Sequence, residues 1–291
     1  MSNLLSFDNT ACVGCGQILA ARTVVNALGP DVIIANATGC LEITTSRHGH
    51  SAWGVPWIHS LFANPASVAS GIYAALKQQG LDKKTKILVQ AGDGSTFDIG
   101  FGAVSGLWSR GEPIIYICYD NEIYANTGMQ ASAATIKGTN TATTPAVALE
   151  LGFTGHKKDM MAIALAHGVP YVAQTTSAFL DDLKAKVLAA AATDGPSYIQ
   201  VLSSCIPGWH IDVKDTMLVP KLAAETGIYP LLEFRYGQKT SDWKVPRPIP
   251  LVKEYLAKQR RFAHLVNSPE GLELIDWLQN KADENIAKYD L

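Results

Sequence analysis

The segment Gly92-Asp93-Gly94-Ser95 decides the fold of this chain, together with Asn121, which follows Gly94 after 26 intervening residues. A short apolar run at 87–89 precedes the segment, and a helix-like stretch at 97–109 follows it. A second apolar run at 114–119 then ends at Asp120-Asn121-Glu122. This order predicts a strand, a glycine-rich turn, a helix and a second strand, with polar residues where each strand ends.

Polar residues at two neighbouring strand ends predict a binding site. In an open parallel sheet, ligands bind outside the carboxyl ends of the strands. Gly92 and Gly94 would let the backbone approach a phosphate closely, and the following helix would offer its free N–H groups. Asp93 and Asn121 would supply oxygen ligands to a Mg²⁺ that also holds a diphosphate. A Gly-Asp-Gly segment is also a common turn, but the flanking strands and Asn121 favour the magnesium–diphosphate site.

Composition is ordinary for an α/β protein. The 291 residues can bury a full core in one large or two modest domains, and 47% of them are hydrophobic and 17% charged. The net charge is −2 and no long Lys/Arg block occurs, so nucleic-acid binding is not expected. No run approaches the ~20 apolar residues of a membrane span, and the N-terminus lacks the features of a signal peptide. We therefore expect no membrane association and a cytoplasmic location.

Alternating strands and helices along the chain predict an α/β fold with a parallel sheet. The further predicted strands are 32–35, 171–173 and 198–202, and the further predicted helices are 16–28, 66–79, 159–167 and 179–192. Two stretches without strong periodicity, 41–58 and 124–145, are predicted to be long loops at one edge of the sheet. Long loops in compact domains are usually functional.

The pattern changes at about Trp209. Residues 209–250 contain several prolines and are predicted to be irregular, and two helices follow at 251–264 and 269–288. This part has no clear apolar core in its first half. We therefore divide the chain into a binding domain at 1–208 and a C-terminal extension at 209–291 that packs on the domain or on partner subunits.

The cysteines give a second signal. Four of them have the spacing C-x₂-C-x₂₄-C-x₁₆₄-C, and Cys40 and Cys205 follow predicted strands at the same sheet edge as Asp93. Four cysteines suit either a [4Fe–4S] cluster or a structural zinc, although zinc sites usually take their ligands from two close pairs. Some of the four could also be ordinary core cysteines. Cys118 lies within an apolar strand and is expected to be structural.

Considered together, these motifs resemble one family. Gly-Asp-Gly followed by an asparagine resembles the thiamine-diphosphate motif, in which the carbonyl of Ile123 would be a third protein ligand of Mg²⁺. Nearly the whole chain resembles the β subunits of pyruvate:ferredoxin oxidoreductases. The matching motifs are Cys12-Val13-Gly14-Cys15-Gly16, Ala37-Thr38-Gly39-Cys40, Trp57-Ile58-His59, Gly92-Asp93-Gly94, Tyr119-Asp120-Asn121-Glu122, Asn126-Thr127-Gly128, Ala223-Ala224-Glu225-Thr226-Gly227 and Arg261-Phe262-Ala263-His264-Leu265.

The resemblance implies an activity and a set of site residues. The activity is oxidative decarboxylation of a small 2-oxoacid on thiamine diphosphate, with electrons leaving singly through iron–sulfur clusters to ferredoxin. Gly39, Cys40 and the segment 92–95 would lie beside the cofactor, and Asn126 and Thr127 would face its thiazolium and the substrate. The proximal cluster would be held by four cysteines, namely Cys12, Cys15, Cys40 and Cys205.

The resemblance also implies partners. Other subunits, of the α, γ or δ type, would carry further clusters and the glutamate that activates the aminopyrimidine of the cofactor. In this chain only Glu42 and Glu122 are near the motifs, and both are expected to be structural.

Departures from the family pattern concern the substrate. Ala131 and Gly54 stand at positions where the family pattern has arginine. Arg47, His48 and His50 stand where relatives carry aromatic and proline residues. Drift of surface loops would explain this. The alternative is a changed substrate, such as oxalate in place of pyruvate, which needs a second carboxylate neutralised and leaves no acyl group for coenzyme A.

Two other functions remain open from the residues alone. One is a thiamine-diphosphate decarboxylase or synthase without a cluster, against which the four cysteines argue. The other is a zinc-stabilised scaffold subunit with a degenerate cofactor site.

Overall fold

An eight-stranded, mostly parallel sheet forms the centre of the structure, a computed structural model that describes residues 3–147 and 150–291. Its strands stand in the order β12-β11-β9-β10-β6-β5-β1-β4. The bounds are β1 (Val32–Ala37), β4 (Trp57–Ser60), β5 (Lys86–Gly92), β6 (Ile115–Asp120), β9 (Tyr171–Thr176), β10 (Ser197–Leu202), β11 (Leu232–Arg235) and β12 (Gln238–Lys239). In the described part of this sheet only the pairings of β11 with β9 and with β12 are antiparallel, at one edge. Two small hairpins lie outside the sheet, β2 (Ser46–Arg47) with β3 (His50–Ser51) and β7 (Ala146–Val147) with β8 (Glu150–Leu151).

Helices cover both faces of the sheet, which explains why its central strands are continuous apolar runs. The helices are α1 (Gly16–Leu28), α2 (Cys40–Thr45), α3 (Pro65–Gln78), α4 (Phe101–Ser109), α5 (Met160–Ala166), α6 (Leu180–Ala192), α7 (Ile206–Trp209), α8 (Leu218–Glu225), α9 (Val252–Ala257) and α10 (Pro269–Tyr289). Helices α1 and α6 pack together on one face, and α3, α4 and α5 lie against the other. The predicted α/β class and parallel sheet are confirmed. In the part of the chain that the structure describes, no helix is both long and apolar enough to span a membrane.

Sheet register brings the predicted binding residues together. Strands β5 and β6 are parallel neighbours in which Gly92 lies beside Tyr119, so Asp93 and Asp120 follow at the same level. Strand β1 pairs with β5 on the side of β5 that faces away from β6. The carboxyl ends of β1, β5 and β6 therefore open onto one edge, as the sequence predicts.

The prediction of one long loop at 41–58 is wrong. This stretch contains α2, the β2–β3 hairpin and the first half of β4, which pairs with β1 at the sheet edge. Strand β4 begins directly after Pro56 and has only four residues. Much of it is exposed, so its sequence lacks the alternation of apolar and polar residues from which a strand is predicted. The helix predicted at 97–109 also differs, because Gly94–Ile99 forms a π-helical turn before α4 begins.

The prediction of an irregular segment at 209–250 is also wrong. It contains α8 and the strands β11 and β12, which extend the sheet beyond β9. The first of the two predicted C-terminal helices is shorter than expected, because α9 ends at Ala257 and a 3₁₀ helix follows at Arg260–Asn267. These elements enclose an apolar core around Trp209, Tyr229 and Tyr255, distinct from the apolar cores on the two faces of the sheet. This core also contacts Leu202 at the end of β10.

Candidate active site

Asp93 and Asn121 stand at the ends of adjacent strands and touch. One carboxylate oxygen of Asp93 accepts a hydrogen bond from the backbone N–H of Asn121 at 3.4 Å, and the other accepts from the Ser132 hydroxyl at 2.5 Å. The side-chain oxygen of Asn121 accepts from the backbone N–H of Ile123 at 3.2 Å. The two oxygen-bearing side chains are thus placed together, with the carbonyl of Ile123 two residues along the same loop.

Asp93 is a buried carboxylate without a cationic partner among the described residues. Burial, and then the neighbouring charge of Asp120, raises the pKa of Asp93 to about 8. The nearest ammonium group, on Lys157, instead pairs with Asp120 at 2.6 Å and Glu122 at 3.0 Å. A buried carboxylate is stable as an anion only beside a cation, so the chemistry of this position fits a divalent metal ion.

A cavity of about 430 Å³ opens in front of this pair. The structure brings together nearly all of the predicted cofactor residues in its lining, namely Gly39, Cys40, Gly92, Asp93, Gly94, Asn121, Ile123, Asn126 and Thr127. Ser95 is the exception. It is buried behind the cavity and donates a hydrogen bond to the carbonyl of Phe62 at 2.6 Å.

The sequence does not predict two polar residues of the cavity lining as site residues. Asn36 of β1 and Gln90 of β5 are buried register partners, and both line the cavity. The side-chain oxygen of Asn36 and the side-chain nitrogen of Gln90 have no hydrogen-bond partner among the described residues. Unsatisfied buried polar atoms are costly, so this floor suits a polar ligand or ordered water. The available signal was a single polar residue near the end of each apolar strand.

The four spaced cysteines line a second cavity, of about 310 Å³. These are Cys12, Cys15, Cys40 and Cys205, whereas Cys118 is buried within β6 and lies apart from them. Burial raises the pKa of the Cys40 thiol to about 11 and that of Cys205 to about 12, and the neighbouring cysteines add to both shifts. Thiols with such pKa values become thiolates only beside positive charge, which a metal centre supplies.

Among the described residues, the four cysteines do not form a site for a single metal ion. Four sulfurs about 2.3 Å from one zinc ion lie within about 4 Å of each other. Among residues 3–147 and 150–291, no group of three His, Cys, Asp or Glu side chains converges closely enough to hold a single metal ion. Four cysteines are also the ligand set of a [4Fe–4S] cluster.

The two cavities meet at Cys40 and Asn126. Both residues line both cavities, and the Cys40 thiol donates a hydrogen bond to the side-chain oxygen of Asn126 at 3.2 Å. Any group held by the cysteines is therefore in direct contact with the wall of the first cavity.

The remaining candidates lie outside the cavity lining. Arg47 pairs with Asp8 at 3.3 Å, and His50 reaches the same carboxylate at 3.4 Å. Glu42 approaches His59 at 3.9 Å. The carboxylate of Glu122 is buried and bound by Lys157 and Arg261.

Known proteins are similar to this chain over most of its length. Residues 37–201 match the family described as thiamine pyrophosphate enzyme, C-terminal TPP binding domain. The chain is 44% identical over 287 residues to the pyruvate synthase subunit PorB of Methanosarcina barkeri, covering 99% of this chain and 97% of that protein. It is 38% identical over 281 residues to the PorB subunit of Thermotoga maritima, with 94% and 86% covered.

Two further similarities extend the comparison. Identity is 35% over 272 residues to the ketoisovalerate oxidoreductase subunit VorB of Pyrococcus abyssi, covering 92% of this chain and 87% of that protein. The fold is similar to a chain of the 2-oxoglutarate:ferredoxin oxidoreductase of Magnetococcus marinus, with a TM-score of 0.60, 22% identity, and 86% and 88% of the two chains covered.

Proposed function

Because the chain belongs to the β subunits of the pyruvate:ferredoxin oxidoreductase family, we propose that it is the thiamine-diphosphate-binding subunit of a 2-oxoacid:ferredoxin oxidoreductase. The reaction is oxidative decarboxylation of a small 2-oxoacid, with electrons passed through a [4Fe–4S] cluster to ferredoxin. One observation carries this proposal. The cavity with the metal-ligand pair and the cavity with four cysteines share lining residues, among them Cys40, Asn121 and Asn126.

We assign the diphosphate and its Mg²⁺ to the ends of β5 and β6. Asp93, the side-chain oxygen of Asn121 and the carbonyl of Ile123 would hold the metal, and Gly92 and Gly94 would admit the diphosphate. The buried, unpaired carboxylate of Asp93 supports this assignment. Ser95 would support the turn from behind, through its bond to the Phe62 carbonyl, and not by contact with the cofactor.

We assign the cluster to Cys12, Cys15, Cys40 and Cys205. The cavity that these four cysteines line supports this assignment, and no three of the described His, Cys, Asp or Glu side chains form a single-metal site.

Thiamine diphosphate, when bound, supplies the reactive carbon and the electron sink. Asn126 and Thr127 would orient the substrate at the wall between the cavities. The side-chain N–H groups of Asn126 make no hydrogen bond to a described residue, so they are available to the substrate. The Thr127 hydroxyl donates to the Gln130 side chain at 2.5 Å, and Gln130 donates back to the Thr127 carbonyl at 2.6 Å, so this loop is held in place.

A partner subunit completes the site. In the described part of the chain no glutamate lines the first cavity, which supports the proposal that another subunit supplies the group that activates the aminopyrimidine. We propose that residues 1–208 hold cofactor and cluster, that 209–291 pack on them and on partner subunits, and that those partners carry further clusters toward ferredoxin.

Pyruvate is the substrate that the residues favour over oxalate. A second substrate carboxylate would need added positive charge, but Arg47 and His50 are engaged by Asp8 away from the cavity. No Lys, Arg or His among the described residues lines the first cavity. Oxalate would therefore depend on charge from a partner subunit.

The test is anaerobic purification of the chain with its partner subunits. We expect bound iron and thiamine diphosphate, and reduction of a viologen dye that depends on pyruvate and coenzyme A. Reduction with oxalate alone would reassign the substrate. A colourless complex with thiamine diphosphate but no iron would indicate a decarboxylase or synthase. Zinc without iron or thiamine diphosphate would indicate a scaffold subunit and contradict the proposal.

A further inference from the structure

The loop Asn121-Glu122-Ile123 is contacted residue by residue by Gly208, the last residue of the proposed binding domain, and by two residues of the C-terminal part of the chain. The indole N–H of Trp209 donates to the backbone carbonyl of Asn121 at 2.8 Å. The guanidinium of Arg261 donates to the Glu122 carboxylate at 2.5 Å. Gly208 lies against Ile123 so closely that an added Cβ would overlap the Ile123 side chain.

This loop has a backbone conformation that needs support. Glu122 has a φ of 66°, in the left-handed region that residues other than glycine rarely adopt. Its carbonyl accepts from the Thr135 hydroxyl at 2.7 Å, and its carboxylate is fixed by Lys157 and Arg261. Turning the chain at Glu122 allows its two neighbours, Asn121 and Ile123, to face the same cavity.

The two supporting residues also support each other. The Arg261 guanidinium lies 4.6 Å from the centre of the Trp209 ring, and both side chains are fully buried. The Arg261 guanidinium also donates to the side-chain oxygen of Gln259, through Nε at 3.0 Å and Nη2 at 2.8 Å. Trp209 ends the short helix that begins directly after Cys205, so the segment with the last cysteine is bonded to the loop with the metal ligands.

We propose that Trp209 and Arg261 are positioning residues for the metal-binding loop. They hold Asn121 and Ile123 in the conformation that binds Mg²⁺ with the diphosphate, although neither lines the cavity. The C-terminal part is on this basis a component of the cofactor site and not only a surface for partner subunits. The inference rests on the proposed function, because it presumes that the loop binds a metal.

The experiment measures metal binding in place of turnover. The complex of this chain with its partner subunits is prepared with Mn²⁺ in place of Mg²⁺, and Mn²⁺ affinity at saturating thiamine diphosphate is followed by electron paramagnetic resonance. Arg261→Met should weaken Mn²⁺ binding by about 10- to 100-fold, the range typical of residues that hold metal ligands. Trp209→Phe keeps the ring beside Arg261 but removes one hydrogen bond, and should weaken binding by about two- to tenfold.

A control separates positioning from general stability. Tyr255 is buried in the same core and its hydroxyl has no partner among the described residues, so Tyr255→Phe should leave Mn²⁺ affinity unchanged. Arg261→Lys keeps the charge and should recover part of the affinity lost in Arg261→Met. Thermal unfolding of each variant reports any loss of stability separately.

The outcomes distinguish the two levels of the proposal. A wild-type complex that binds no Mn²⁺ with thiamine diphosphate would overturn the proposed function and this inference with it. A wild-type complex that binds, with Arg261→Met and Trp209→Phe binding equally tightly, would overturn the inference alone.

Discussion

The Cys40 thiol donates a hydrogen bond to the side-chain oxygen of Asn126 at 3.2 Å, and both residues line both cavities. Cys40 opens α2, directly after the turn that follows β1, whereas Asn126 belongs to the loop after β6. Residues 86 positions apart therefore meet because parallel strands end at one edge of the sheet.

Cys40→Ala should remove the cluster and spare the cofactor site. With three cysteines left, the iron content of the complex should fall and pyruvate-dependent viologen reduction should be lost, while thiamine diphosphate still binds. Iron analysis and a thiamine assay on the same sample measure both. Cys118→Ala is the control, because Cys118 is buried within β6 away from the cavity. It should keep iron and activity and cost only about 1 kcal/mol of stability. Full iron content in Cys40→Ala would contradict the ligand assignment.

Asp93→Asn should abolish binding of the metal and diphosphate. The amide still accepts from Ser132 but carries no negative charge, so we expect Mg²⁺-dependent affinity for thiamine diphosphate to fall by more than about 100-fold, beyond the loss typical of residues behind metal ligands. Isothermal titration calorimetry measures this. Asp98→Asn is the matched control, since Asp98 accepts from Tyr124 and the Ala133 backbone, and an amide oxygen can still accept both. If Asp93→Asn bound thiamine diphosphate with Mg²⁺ as tightly as Asp98→Asn does, Asp93 would be ruled out as a metal ligand.

Asn126→Ala should separate turnover from cofactor binding. Asn126 is exposed toward the cavities and holds no part of the metal pair, so removing its amide should leave affinity for thiamine diphosphate nearly unchanged. We expect kcat for pyruvate-dependent dye reduction to fall about 100-fold, a typical cost for losing a hydrogen bond aimed at the reacting group. Asn280→Ala, an exposed position in α10, serves as the control. Unchanged kcat would remove Asn126 from the catalytic residues.

Sequence patterns predicted the site better than the periphery of the fold. Strands β5, β6 and β10 are buried on both faces, so their apolar runs stand out, and the polar residues after them mark one sheet edge. The edge strands gave no such signal. Strand β4 has four residues and is half exposed, and β11 and β12 are short strands in a segment with several prolines, where tertiary packing outweighs local preference.

The supports of the site could not be predicted from the sequence. Arg261 begins a family-like motif near the C-terminus, but the motif does not show that its guanidinium is fully buried and paired with Glu122, 139 positions earlier. Likewise Lys157 lies between Asp120 and Glu122. Such pairings follow from the tertiary contacts of distant segments, and neither spacing nor periodicity encodes them.

Alkaline pH should unfold the chain through its buried tyrosines. Burial raises the pKa of Tyr116, Tyr198, Tyr229 and Tyr255 above the ordinary value of about 10. Their folded-state pKa values exceed the unfolded ones, so the stability they contribute is fully present below pH ~10 and is lost as pH rises beyond it. Each such tyrosine lowers the free energy of unfolding by up to about 1.4 kcal/mol per pH unit in that range.

The measurement follows tyrosinate absorbance together with circular dichroism from pH 8 upward. We expect these phenols to ionise only as the secondary structure is lost, in one cooperative step. Tyr255→Phe should shift that step to higher pH. Ionisation of all ten tyrosines near pH 10 in the folded chain would contradict the burial of these four.

Gly94→Ala should close the cofactor site by steric overlap. An added Cβ would meet the ring of Tyr124, which lines the same cavity and donates to Asp98 at 2.6 Å. Because the ring is fixed by that bond, the turn itself must move, and with it Asp93. We expect thiamine diphosphate binding to be lost. Gly102→Ala is the control, since nothing lies within 4 Å of an added Cβ at this exposed position of α4. That variant should bind normally and gain up to about 1 kcal/mol of stability from the better helix propensity of alanine. Normal binding by Gly94→Ala would mean that the diphosphate does not need the close approach of this turn.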